Sequence, residues 1–109
     1  MIEKPYTYTQ SNEKVIEKLI GDDTAMINHV VLAPGDALPE HYSDSNVYLI
    51  VVQGSLTIQL EDQDVHSYQA SVVNIPCHIK MNISNTSKQV LEFFIVKAPH
   101  PRVYKAQTL

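Results

Sequence analysis

Residues 39–54 read PEHYSDSNVYLIVVQG, and the way this stretch folds sets the reading of the whole chain. Ser43-Asp44-Ser45-Asn46 is turn chemistry: four short polar side chains able to hydrogen-bond their own backbone in place of a strand or helix ladder. The run that follows, VYLIVV at 47–52, is the longest apolar stretch of the chain. It falls far below the roughly 18 residues that cross a bilayer and has the length of a buried strand. Gly54 closes it with a second turn. A strand between two turns, with His41 just ahead of the first, is the unit to look for on either side.

That unit recurs. Turn residues return at Gly21-Asp22-Asp23, Pro34-Gly35-Asp36, Glu61-Asp62-Gln63-Asp64 and Asn85-Thr86-Ser87, the spacing of an antiparallel all-β domain. Leu56, Ile58 and Leu60 alternate with Ser55, Thr57 and Gln59, as Ile79, Met81 and Ile83 do with Lys80, Asn82 and Ser84. This is the two-residue period of a strand with one face inward, so Met81 is expected inside. Val47–Val52 and Val90–Val96 (VLEFFIV) are apolar on both faces, with Glu92 the lone charge and its default the outer face. Such strands need cover on both sides, and the simplest cover for the outer one is another sheet or a second subunit about a two-fold axis. A homodimer is expected. Asn12–Ile20 (NEKVIEKLI) fits either a helical stripe or the first strand of a hairpin into Met26–Ala33, and the strand is preferred. The chain is read as a single domain, 1–109, with its core at about residues 14–97. The first ten residues and the tail 98–109 are read as surface arms.

A chain of 109 residues can bury one core without disulfides or structural metals. The net charge of −4 and the scattered Lys and Arg give no footprint for nucleic acid. Cys77 has no partner for an internal disulfide, and the start MIEKPYTYTQ lacks the apolar segment of a signal peptide, so a cytoplasmic protein with no membrane span is expected. Without a signal, Asn82-Ile83-Ser84 and Asn85-Thr86-Ser87 are read as chance matches to the glycosylation triplet.

Two spaced patterns then resemble the cupin family, a double-stranded β-helix or jelly-roll barrel defined by two boxes on facing strands. The first box reads Gly, five residues, His-x-His, three or four residues, Glu, six residues, Gly. Gly35, His41 and Gly54 stand in register with it, while Ser43 takes the second histidine position and Val47 the acid. The second box reads Gly, five residues, Pro-x-Gly, two residues, His, three residues, Asn. Here Ala70, Pro76, His78, Met81 and Asn85 fill those places in ASVVNIPCHIKMNISN. The resemblance implies the barrel fold over residues 35–85 by motif and implies no single chemistry, because one scaffold carries many functions.

A catalytic metal needs about three protein ligands and an open position. Only His41 survives of the family's imidazole and carboxylate donors, and Met81 offers a soft thioether, so no standard metal and no cofactor are expected. His29, on one strand face with Ile27 and Val31, is the recruit for a rebuilt site: if it looks into the barrel, His41, His29 and Met81 form a soft set of the kind copper(I) tolerates. Its ordinary reading is a core or interface histidine satisfied by a backbone carbonyl. His41 likewise divides between capping the loop after Pro39 or bonding Ser43 and facing a pocket. His66, His78 and His100 are read as surface or rim, Cys77 as a small buried or rim residue, and Tyr42 and Tyr48 as pointing away from the pocket. No residue set identifies a catalytic centre. The reading that leads is a small-molecule-binding barrel with His41, Ser43, Val47, Met81, His29 and Asn85 at its pocket. Beside it stand a metal-dependent oxygenase or isomerase with a rebuilt site on His41, and a structural or interaction module with a filled barrel.

Overall fold

The computed structural model describes residues 1–108; Leu109, the end of the expected C-terminal arm, lies outside them. Nine strands and one helix follow in order: β1 (Val15–Gly21), β2 (Met26–Leu32), β3 (His41–Tyr42), β4 (Val47–Gln53), β5 (Leu56–Leu60), β6 (His66–Tyr68), β7 (Val72–Ile75), β8 (Lys80–Ser84), β9 (Leu91–Lys97) and α1 (Pro101–Thr108). They form a five-stranded sheet, β1-β2-β9-β4-β7, and a four-stranded sheet, β3-β8-β5-β6, with every pairing antiparallel. This is the all-β double-stranded β-helix. The segment with two readings is strand β1, and the hairpin into β2 is as expected. No helix among the described residues is long and apolar enough to cross a membrane.

Alternation explains the core. Val47, Leu49 and Val51 of β4 face inward against Val30 and Leu32 of β2, Leu91 and Phe93 of β9, and Met81 and Ile83 of β8. Burying these side chains is the main favourable term, at roughly 25 cal/mol per Å² of apolar surface removed from water. The opposite face of β4 and β9 is less well covered than their composition demands. Tyr48, Ile50, Phe94 and Val96 are half-buried, while Val52 and Val72 are 52% and 64% exposed.

The tail departs from the expected arm, because Pro101–Thr108 is helical. Pro-His-Pro supplies the reason. Proline at the first helical position loses no bond and arrives with helical φ. His100 caps the end: its Nδ1 accepts from the Arg102 N–H at 3.1 Å and its carbonyl from Val103 and Tyr104. Arg102 then ties the helix to Asp23 in the β1–β2 turn at 2.8 Å.

All four places where the two boxes call for glycine adopt a left-handed backbone, with φ of 89° at Gly35, 77° at Gly54, 45° at Ala70 and 68° at His78. Gly54 is also hemmed in, since a Cβ there would collide with the Val90 carbonyl. Side chains at Ala70 and His78 carry the usual left-handed penalty, about 1–2 kcal/mol each. Gly54→Ala is therefore expected to lower stability by roughly 2 kcal/mol or more in denaturant unfolding. His78→Gly should instead raise it, by about 0.5–1 kcal/mol once the added freedom of the unfolded chain is subtracted; a loss would show that the exposed His78 ring holds its loop.

Candidate functional site

At the mouth of the barrel, between the sheets, lies a half-open cavity of about 300 Å³, with exposed Ile16 and Pro39 on its rim. Its walls are apolar, from Leu49, Ile83, Ile95, Val47, Leu38 and Met81, and three polar residues reach it: Asn28, His41 and Lys97. Strand parity puts each of them there. His41 and Met81 are opposed across β3 and β8. Asn28 shares the inward face of β2 with Val30 and Leu32, and Lys97 continues the series Leu91, Phe93, Ile95 of β9.

His41 plays both roles weighed for it. Its Nδ1 lies 2.9 Å from the Pro39 carbonyl; a carbonyl only accepts, so Nδ1 carries the proton and a neutral ring keeps Nε2 as a free acceptor. Lys97 pairs with Asp44 at 2.9 Å; its own side chain is 16% exposed, that of Asp44 55%. Asn28 Oδ1 is buried with no hydrogen-bond partner among the described residues, a deficit of about 1–3 kcal/mol that a donor reaching a reoriented amide would relieve.

Val47 and Met81 line the cavity; Ser43, Asn85 and His29, which the sequence also assigns to a pocket, do not. Ser43 is buried, its hydroxyl donating to the Pro76 carbonyl at 2.6 Å and accepting from Ile79 N–H at 2.9 Å, so it stitches β3 to the 76–79 loop. Asn85 organises the β8–β9 turn: its amide donates to the Leu32 and Gln89 carbonyls and its oxygen accepts from the Ser87 N–H and hydroxyl. His29 is fully buried on the outer face of the five-stranded sheet, not in the barrel, where its strand register sets it opposite Glu17 and Phe94.

There His29 is held by two carboxylates, not a carbonyl. Nδ1 lies 2.7 Å from Glu17 and Nε2 2.7 Å from Glu92, each at Oε2; with both acids ionised, the ring donates from both nitrogens and carries the positive charge. Tyr8 of the N-terminal arm covers it, 4.6 Å away between ring centroids, and packs edge-on against Phe94. Thr9 donates to Glu17 through its N–H and hydroxyl at 2.9 and 3.0 Å. The outer position of Glu92 is as expected. Tyr42 is 63% exposed, away from the cavity.

The donor set does not fit a standard metal. His41 alone of the box positions offers a good donor, Ser43 is bonded elsewhere, Val47 has none, Met81 has a thioether, and the recruit His29 faces the other side of the sheet. No three His, Cys, Asp or Glu side chains among the described residues are grouped to hold a metal ion. The sequence reading missed Lys97 and Asn28. Extending the inward series of VLEFFIV by one step reaches Lys97, whereas Asn28 follows only once the phase of β2 is known.

No family model matches the chain. It is 45% identical over 108 residues to the uncharacterized protein MJ0764 of Methanocaldococcus jannaschii, spanning 97% of this chain and 93% of that one. The crystal structure of MJ0764, described as an RmlC-like cupin family protein with a double-stranded β-helix fold, superimposes with a TM-score of 0.90 at 46% identity, over 94% of this chain and 95% of that one. A cupin superfamily protein of Desulfitobacterium hafniense, 18% identical, shares the fold at a TM-score of 0.70 over 84% of this chain and 83% of that one. A local match, 34% identical over 47 residues, joins 42% of this chain to 32% of the tetracenomycin polyketide synthase protein TcmJ of Streptomyces glaucescens.

The arm contacts yield a pH prediction. The Thr9 backbone N–H, and after it the His29 imidazole, hold the Glu17 carboxyl below its ordinary value of 4.5, against a smaller opposing effect of burial. A depressed carboxylate stabilises above its unfolded value and stops doing so as pH falls through the folded one. Protection of the Thr9 amide from hydrogen exchange is expected to hold at neutral pH and collapse in that acid window. Glu17→Gln should show weak protection at every pH; full protection in the variant would mean that Tyr8 alone docks the arm.

Proposed function

The chain belongs to the RmlC-like cupin family, and on that premise we propose that it binds a small organic molecule in the mouth of the barrel without the family's usual metal box. The observation that carries this is the cavity itself: about 300 Å³ of mostly apolar space with a few convergent polar groups, the common character of small-molecule sites. A filled barrel acting only as scaffold is disfavoured by the same space. A metal-dependent oxygenase or isomerase is disfavoured by the donors, since His41 faces Met81 and Val47. A cytoplasmic setting agrees with a lone, unpaired Cys77.

A fragment screen by thermal shift tests the reading, using the wild-type protein and Leu38→Trp, which fills the cavity from its half-buried wall. A fragment present at ten times its Kd is expected to raise the wild-type Tm by about 5 °C. The shift should vanish in a variant that still melts cooperatively. Equal shifts in both proteins would place binding elsewhere, and no shift from any fragment would sink the reading.

The proposal extends to a second copy of the chain as partner. Val52 and Val72 are exposed beside half-buried Ile50, Tyr48 and Val96 on the outer sheet face, while Met1, Ile2 and Tyr6 are exposed on the extended N-terminal arm. An uncovered apolar face, together with exposed apolar residues at the tip of an arm that Tyr8 and Thr9 dock on its own sheet, suits a two-fold pairing in which each tip reaches the partner. Light scattering is expected to give twice the chain mass for wild type and the single-chain mass for Val72→Lys. A wild-type monomer at high micromolar concentration would overturn the dimer.

A further inference from the structure

Resting on the cavity reading above, we infer that the ligand is a small, largely hydrocarbon acid whose anionic group is received by Lys97. The charge inventory of the cavity carries the inference. Its apolar walls are interrupted by Asn28, His41 and Lys97, and no carboxylate lines it among the described residues. The one formally charged side chain on the wall is therefore a cation.

Lys97 is also lightly paired. Its ion-pair partner is Asp44 Oδ1 at 2.9 Å, and among the described residues no second carboxylate pairs with it. The side chain is 16% exposed and belongs to the cavity lining. Asp44 itself is 55% exposed and lies in the β3–β4 loop outside the cavity lining. Such an ion pair is weak and easily exchanged. A ligand carboxylate entering from the mouth can pair with the ammonium beside Asp44 or displace it, while its hydrocarbon body takes the place of water against Ile16, Leu38 and Ile95. A free amine in the same place meets a like charge.

His41 and Asn28 set the rest of the ligand. His41 Nε2 is an acceptor in the neutral ring, and Asn28 Oδ1 is an acceptor without a partner among the described residues. Both favour a hydroxyl or N–H on the ligand body away from the acid. The class is thus a hydroxylated or amide-bearing hydrophobic acid rather than a sugar phosphate, which has too little apolar surface for these walls, or an amine.

Three molecules with one body and different ends test the head group: 4-phenylbutyrate, 4-phenylbutanol and 4-phenylbutylamine, titrated by NMR into the whole chain at pH 7. The acid is expected to bind roughly tenfold tighter than the alcohol, the advantage of one charge-assisted hydrogen bond, and the amine least well. Lys97→Met should bring acid and alcohol to equal affinity while the alcohol is unchanged. Asp44→Asn, an exposed substitution that leaves the fold in place, should strengthen acid binding severalfold by removing the competing anion, and it carries the test if Lys97→Met does not fold. Binding of all three with no preference for the acid overturns the ligand class and leaves the cavity reading standing, as does a preference that neither variant alters. Binding of none overturns both.

Discussion

Strand β9 is hydrogen-bonded on both sides, to β2 from Met26↔Lys97 to Leu32↔Leu91 and to β4 from Val47↔Lys97 to Gln53↔Glu92. Because side chains alternate along a strand, this ladder fixes two registers at once. Residues level with Phe93 look into the barrel, and residues level with Glu92 and Phe94 look out of it. Shifting β2 by one residue against β9 would put His29 in the cavity and Val30 and Leu32 in the solvent. The core forbids it, since Val30, Leu32, Leu91 and Phe93 are fully buried together. The register that packs the core therefore also decides that Asn28 and Lys97 belong to the cavity and His29 to the outer face.

Much of this was legible in the sequence, and the exceptions have a common cause. Turn chemistry placed the strand boundaries, and clean alternation placed Met81 and Ile83 inward. The resemblance carried by Gly35, His41 and Gly54 implied the barrel. Strand MINHVVL gives no such phase: Ile27 and Val31 are apolar on one face, Val30 and Leu32 on the other, so periodicity cannot say where His29 points. The outer face is apolar here because Tyr8 from a distant segment covers it. Only tertiary structure reveals that cover. Ser43 and Asn85 went astray differently. Both occupy box positions, but their polar atoms are engaged by neighbouring backbone, and a short polar side chain next to a turn finds backbone before it finds a pocket.

The two boxes have the backbone of the family pattern without its ligand residues. Ala70 and His78 keep the left-handed conformation that glycine adopts without strain. That conformation persists because the loop it shapes is tied down elsewhere: His78 N–H donates to the Ser43 carbonyl, Ser43 N–H to the Ile79 carbonyl, and the Ser43 hydroxyl to Pro76. Ser43, standing where a ligand histidine would, is thus the pin for the turn of the second box. The serine network ties the first box to the turn of the second through hydrogen bonds alone.

The ionisable groups are partitioned by the five-stranded sheet in a way that bears on what the barrel can hold. On its outer side, two carboxylates share one imidazole, an arrangement carrying net negative charge that fastens the N-terminal arm. On its inner side the one charged wall residue among the described residues is Lys97, and its counter-ion sits outside in a loop. A carboxylate on the inner wall beside Lys97 would have neutralised the cavity, and an ion pair closed within it would gain little over apolar packing after desolvation. Splitting the pair across the mouth leaves the inner wall with a cation whose counter-ion is not itself part of the lining. The inward strand parity that builds the core thereby leaves, at its last step on β9, a cation at the edge of hydrocarbon.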